Sequence, residues 1–312
     1  MRSVRRFLLL WMPVLLTGAT VFFPGCQSFQ EQQEALPDSW DHGTIMISVD
    51  ESFKPVVDEL IKVYESNHRG THITARYKTE ADCLQDFLND SIRMIIATRG
   101  YNEEERQLMV DSMKVSPEKM TIARDAIAVI VNPESPDSLF TMPELIQVLK
   151  GSFKNNLIPV FDGVKATSTV RFIIDSVLRG YQLTPQAMAA RTSEGVINYV
   201  ATHKDAVGFI GVSWIGNKDD SLQMSFLKKV RLASLESRDK PGAYVKPYQA
   251  NIYLLRFPLV RDLVYILKEN HTGLGHAFAD FMSGEIGQLI FKRAYLFPGK
   301  MNFGIRVVRV NE

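Results

Sequence analysis

The chain has 312 residues, 46% of them apolar, and a formal net charge of +1. That length fits about two domains, and that apolar share fits substantial cores. A balance so close to neutral, with no block of like charges and no internal repeat, gives no argument for a nucleic-acid or anionic-membrane partner.

Arg2, Arg5 and Arg6 precede a mostly apolar run from Phe7 to Phe23, which ends in Phe23-Pro-Gly-Cys26. This is the layout of a secretory leader. A Cys directly after a small residue resembles a bacterial lipoprotein signal, which implies removal of residues 1–25 and lipid on Cys26. The Phe23-Pro24 pair departs from the usual Leu-then-small pattern. The competing reading is an uncleaved N-terminal anchor, since the run is near the ~18 residues of a membrane span. Either reading puts the body outside the cytoplasm, as a periplasmic or cell-surface protein held at the membrane. Cys83 is the other cysteine, so lipid on Cys26 leaves no internal disulfide; between Ala81 and Leu84 it reads as a small buried apolar residue. Residues 26–42, rich in Gln and Glu and carrying Pro37, read as a flexible tether.

The body opens with a strand, Gly43 to Val49. Asp50-Glu51-Ser52 follows, then a helix with Phe53, Val56, Val57, Leu60, Ile61 and Tyr64 on one face. Thr71 to Tyr77 is a second strand, and Lys78 to Asp82 leads into a helix through Leu84, Phe87 and Leu88. Ile92 to Ala97 is a third strand, ending at Thr98-Arg99-Gly100, and Asn102 begins another helix. Strand, polar turn and helix thus recur three times, which predicts a parallel sheet. Ligands of such sheets bind beyond the carboxyl ends of the strands. The residues there are Asp50, Glu51, Ser52, Thr79, Glu80, Thr98 and Arg99.

Asp125 to Asn132 is apolar throughout its interior and is a candidate to cross between domains. Helices are expected from Thr141 to Val148, after Thr184, and from Ser193 to Val200. Between them a short strand ends at Phe161, Asp162-Gly163 turns the chain, and Lys165 precedes Thr167, Ser168 and Thr169. Val170, Ile173, Ile174, Val177 and Leu178 then recur at helical spacing. Hydroxyls where a helix begins are ordinary N-caps. A helix start also presents unpaired N–H groups and the positive end of the dipole, which together hold an anion. With Lys165 as added charge, the stretch reads as half of an oxyanion site. Ala206 to Gly211 reads as a strand and Glu236 to Pro247 as a loop. Tyr253 to Phe257 reads as a strand, Arg261 to Lys268, Leu274 to Met282 and Gly284 to Phe291 as helices, and Ile305 to Val310 as strand-like.

Four pieces, in this order and spacing, resemble the periplasmic phosphate-binding proteins of ATP-driven importers. Gly43 to Phe53 resembles their opening strand and first binding loop. Thr167-Ser-Thr169 lies where that family has Ser-Gly-Thr at a helix start. Gly208-Phe-Ile-Gly211 resembles a Gly-Tyr-x-Gly strand. Phe257-Pro-Leu-Val-Arg261, followed by Phe278-x-x-Phe281 and Gly287-Gln288, resembles a Tyr-Pro-Leu-x-Arg return and the C-terminal helices. The resemblance covers Gly43 to Pro298 and implies an α/β, two-lobe type II periplasmic-binding-protein fold. Each lobe would be a mostly parallel sheet flanked by helices, joined by two hinge crossings. Residues 43–125 and 251–312 would form one lobe and residues 126–250 the other. It further implies a monomer that takes inorganic phosphate or a related oxyanion, with an ABC importer permease as partner and no cofactor or metal.

Carried over position by position, Ser52-Phe53 matches a Thr-Phe pair that holds one phosphate oxygen, and Thr167, Ser168 and Thr169 match the helix-start donors. The family's Asp is here Arg99, and its Arg position is Gly163, with Lys165 the nearest cation. The resemblance therefore implies Arg99 as the gripping cation opposite Thr167. Asp50, Glu51 or Glu80 would replace the missing proton acceptor, and Thr79 and Thr98 would complete the rim. An enzyme finds little support: there is no Cys/His metal spacing and no Gly-rich phosphate loop, and Gly211-Val-Ser213-Trp-Ile-Gly216 misses a nucleophile elbow by one residue. A surface lipoprotein that senses or adheres without transport is the remaining alternative.

Overall fold

The computed structural model describes residues 38–89, 91–113, 116–163, 167–269 and 271–301. The leader, Cys26, Lys165 and the run Ile305 to Val310 lie outside the described residues.

Three strand–helix units open the body. They are β1 (His42–Asp50) with α1 (Lys54–Asn67), β2 (Gly70–Lys78) with α2 (Glu80–Asp86), and β3 (Ile92–Ala97) with α3 (Glu103–Met113). β1 lies between β2 and β3 and is parallel to both. β4 (Glu118–Val131) then runs for 14 residues, and from Ala126 onward every residue is buried. Beyond it come β5 (Leu139–Phe140), α4 (Met142–Lys150), β6 (Ile158–Phe161), α5 (Ser168–Phe172, continued by a wider turn through Val177) and β7 (Met188–Ala189). Next are α6 (Ser193–Thr202), β8 (Ala206–Gly211), α7 (Ser221–Lys229), β9 (Arg231–Leu232), β10 (Ser234–Glu236), β11 (Tyr244–Val245) and α8 (Gln249–Tyr253). The chain returns through β12 (Val260–Leu267), α9 (Leu274–Ser283), α10 (Glu285–Arg293) and β13 (Phe297–Pro298).

The main sheet has the order β2-β1-β3-β12-β4-β8-β6-β7. β4 belongs to both halves. Its first part pairs with β12, from Glu118 to Ala126, and its second part pairs with β8, from Ile127 to Val131. A strand buried on both faces needs a continuous apolar run rather than alternation, which is what residues 126–131 supply. The first lobe is built on β1, β2, β3 and β12, the second on β8, β6 and β7. The return crossing lies directly beside β4, where the Ile127 N–H donates to the Leu259 carbonyl at 2.9 Å. Asp125 and Arg261 face each other in register at this double crossing. One apolar core runs through both halves, from Ile47, Leu60 and Tyr64 to Phe161 and Phe209, whose rings stack at 4.8 Å.

Four expectations are corrected. Asp38 to Asp41 is not tether. Asp38 is 1% exposed and ion-paired to Arg93, and the Tyr64 hydroxyl donates to the Trp40 carbonyl at 2.7 Å. Arg261 to Leu267 is a strand, not a helix; it is enclosed between β3 and β4, and a short apolar run buried on both sides has no periodicity to distinguish the two. Tyr253 to Phe257 is the end of a helical turn with Leu255 at φ 54°, leaving Leu254 and Leu255 exposed rather than paired. The segment after Thr184 is a turn into β7, and no helix starts there.

Candidate functional site

β1 ends at Asp50, and a single tight turn, Glu51–Phe53, joins it to α1. The Asp50 carboxylate caps that turn, its Oδ1 accepting from the Ser52 N–H at 3.0 Å. Thr167 caps α5 in the same manner from the other lobe, accepting from the Val170 N–H at 3.3 Å. The two turns meet. Ser52 Oγ stands 3.4 Å from Ser168 Oγ, and the Ser213 hydroxyl donates to the Ser52 carbonyl at 3.0 Å.

Arg261 lies at the base of this meeting point. Its Nε donates to Asp125 Oδ2 at 2.8 Å across the double crossing, and its Nη1 donates to Ser168 Oγ at 2.9 Å and Thr169 Oγ1 at 3.4 Å. The Phe53 ring lies 5.2 Å from the guanidinium carbon, a cation–π distance. Nη2 has no protein acceptor among the described residues. Burial works against the charge of Arg261, but Asp125 and Asp50 more than offset it, so the group is a fixed cation. A guanidinium with a spare N–H beside three hydroxyls is a donor set for an oxyanion.

Two further contacts tie the lobes together. Arg171, one turn into α5, donates through Nε to Glu80 Oε2 at 2.5 Å and through Nη2 to Thr98 Oγ1 at 2.8 Å. Glu80 also accepts from the Thr98 N–H at 2.9 Å and hydroxyl at 2.6 Å. Burial pushes Glu80 up, but Arg171 and Thr98 outweigh it and hold the carboxyl below its ordinary value. Glu51 accepts from the Ser193 hydroxyl at 2.8 Å and the Ser193 N–H at 3.2 Å, at the start of α6. Outside these contacts a cavity of about 490 Å³ opens between the Asp50 turn, α2 and the Asp162 turn.

A family profile described as "PBP superfamily domain" matches residues 36–285, most of the chain. The protein belongs to the PBP superfamily. Solved structures agree on the fold. A putative phosphate ABC transporter substrate-binding protein from Clostridium perfringens, with bound phosphate, superposes with a TM-score of 0.67 at 18% identity, covering 82% of this chain and 99% of that one. An ABC-type phosphate transport receptor from Vibrio cholerae gives 0.60 at 17% identity, covering 81% and 99%. The CcmR regulatory domain of Synechocystis PCC6803, in complex with 2-PG, gives 0.54 at 10% identity, covering 78% and 96%. At such identities the likeness is one of fold. Among curated proteins none matches the sequence. The fold of this PBP-superfamily protein is thus the two-lobed type II periplasmic-binding-protein architecture.

Within that architecture the expected residues separate into groups. Ser52, Phe53, Ser168 and Thr169 converge on the buried guanidinium. Asp50, Glu51, Thr79 and Thr167 line the cavity. Glu80 and Thr98 are joined to each other and to Arg171. Arg99, expected as the gripping cation opposite Thr167, is committed to a carboxylate of its own lobe. Its Nη1 and Nη2 grip Glu105 at 2.8 and 3.1 Å at the start of α3, and it stays one-third exposed. The cation at the hydroxyls is Arg261 of the same lobe. Sequence reading placed Arg261 on a helix and so did not aim it at the cleft. The signal was its position directly after Phe257-Pro-Leu-Val, opposite Asp125. Arg171, Asp125 and Asp162 were also missed; Arg171 stands four residues after Thr167, on the face a capped helix turns back toward its start. Cys83 is fully buried and its thiol is pushed up to about 12 by burial, consistent with a packing role.

Proposed function

We propose that the chain is an extracytoplasmic solute-binding protein, not an enzyme, that captures phosphate or a similar tetrahedral oxyanion between its lobes for an ABC importer. The observation that carries this is Arg261, a buried guanidinium whose Nη2 has no acceptor among the described residues, held against Ser168 and Thr169 and beside Ser52 where the lobes meet. Family membership and the phosphate-binding proteins among its structural neighbours support the same reading. Lipid on Cys26 would hold the body at the membrane within reach of a permease, and loss of membrane association in Cys26→Ala tests that anchor.

Isothermal titration of the purified chain with phosphate is expected to give a saturable heat. Ser168→Ala, a small change that keeps the Asp125–Arg261 pair, is expected to weaken binding about tenfold, the cost of one hydrogen bond to a charged ligand. Arg261→Gln is expected to abolish it. Absence of heat with both phosphate and sulfate, with no change in melting temperature, would remove the reading. A sensing role without transport is the second reading, favoured by the direct lobe-to-lobe contacts of Arg171 and Glu51. It requires binding to persist while no permease is engaged.

A further inference from the structure

The cavity beside the hydroxyl cluster has the opposite electrostatic character. Asp50, Glu51, Asp82, Asp86 and Asp162 line it, against Lys78 and Arg191. Lys78 is committed to Asp86 at 2.8 Å, and Arg191 is exposed. Asp50 and Asp162 differ from the other acids. They are 1% and 6% exposed, and each keeps a carboxylate oxygen, Oδ2 of Asp50 and Oδ1 of Asp162, with no protein donor among the described residues. They stand on opposite lobes, at the ends of β1 and β6. The turns that carry them also carry Ser52 and Thr167–Thr169, so the acid chamber and the Arg261 cluster adjoin. A fully ionised tetrahedral anion satisfies Arg261 and the hydroxyls but leaves both buried carboxylate oxygens without a donor, and monohydrogen phosphate, with its one O–H, can donate to only one of them. A ligand that adds a cationic N–H donor satisfies both.

We infer that the chamber is an ammonium subsite beside the oxyanion cluster, so that the cleft selects a tetrahedral oxyanion carrying a primary amine on a short carbon spacer, such as an aminoalkyl phosphonate. The inference rests on the oxyanion reading proposed above. Among the described residues the charged and polar groups that act on Asp162 are Asp50 and Glu51 from the first lobe, Thr167 on its own segment, and Arg261 at the base. Burial and the two acids push Asp162 up to about 7. An ammonium beside it reverses that push, so the amine ligand releases protons on binding near neutral pH and binds more tightly as pH rises through that range.

Three probes test this by titration calorimetry with the full chain: inorganic phosphate, ethylphosphonate and aminoethylphosphonate. Aminoethylphosphonate is expected to bind at least about tenfold tighter than ethylphosphonate, the scale of one charge-assisted hydrogen bond. Asp162→Asn is expected to remove that preference. Runs in two buffers of different ionisation heat are expected to show a proton release for aminoethylphosphonate that falls in Asp162→Asn, the remainder coming from the phosphonate's own second ionisation. Equal or tighter binding of ethylphosphonate or phosphate overturns the subsite and leaves the oxyanion reading standing. Failure of all three probes to bind overturns both. An amine preference that survives in Asp162→Asn, with proton release unchanged, also overturns the subsite.

Discussion

Asp162 carries a cost that the rest of the site makes visible. It is 6% exposed, it has an oxygen with no protein donor among the described residues, and it sits near Asp50 and Glu51. Burial and these neighbours lift it to about 7, whereas an unfolded aspartate titrates near ~3.9. The folded chain therefore binds more protons than the unfolded chain between those values, and stability falls as pH rises through the window, by up to roughly 4 kcal/mol. Asp162→Asn keeps the shape and removes the charge. It is expected to unfold at a higher denaturant concentration than the parent at pH 8, and to lose that advantage near pH 4. A variant less stable than the parent at pH 8 would mean that the carboxylate is held by a partner after all. Glu80 has the opposite sign. Its carboxyl is held low by Arg171 and Thr98 against burial, so its contribution is present above the ordinary Glu value and is lost as pH falls through the depressed one. The contributions of these two acids taken together are greatest on the acid side of neutrality rather than at high pH.

The central strands explain what was readable in the chain and what was not. Gly208 and Gly211 on β8 were legible as a motif, and packing gives the reason. A Cβ on Gly208 would come within 2.7 Å of side-chain atoms of Ile130 and Val196 and 2.9 Å of Val200, so β4 and α6 close on the bare backbone. Gly208→Ala is expected to lower stability by about 1–3 kcal/mol, the usual cost of overpacking, as measured by chemical denaturation. A neutral effect would show that α6 can shift away. The three opening strand–helix units were equally legible, because each strand ends in a polar turn from which a helix starts. β12 was not. From Leu263 to Leu267 its residues are all buried between β3 and β4, so this run carries no alternation, and only its long-range pairing distinguishes it from a helix. That single misreading hid the site's cation, since Arg261 points into the cleft only as the cross-strand partner of Asp125. The hydroxyl half of the site, by contrast, is local chemistry: a Thr cap followed by Ser and Thr can be read from neighbouring residues alone.

At the scale of the molecule, two lobes are joined by two adjacent crossings and bridged by polar contacts between the described residues. Arg261 joins Ser168 and Thr169 at the base, Glu51 joins Ser193 on one flank, and Arg171 joins Glu80 and Thr98. The base contact is shared with the proposed ligand, whereas the Arg171 contact lies apart from it, between α5 and the ends of β2 and β3. Arg171 is therefore suited to set the balance between open and closed forms without touching the anion. A ligand that binds the closed form gains or loses apparent affinity in proportion to how populated that form is beforehand. Arg171→Ala leaves Glu80, 2% exposed, without its cation, and Arg171 itself is about one-third exposed, so the expected destabilisation is moderate, about 2 kcal/mol. The larger effect is expected in shape. By small-angle X-ray scattering, Arg171→Ala should have a greater radius of gyration than the parent without ligand, should contract when phosphate is added, and should show a weaker phosphate affinity by calorimetry. Identical scattering of variant and parent, with and without phosphate, would mean that the hinge strands fix the lobe angle and that Arg171 merely neutralises Glu80.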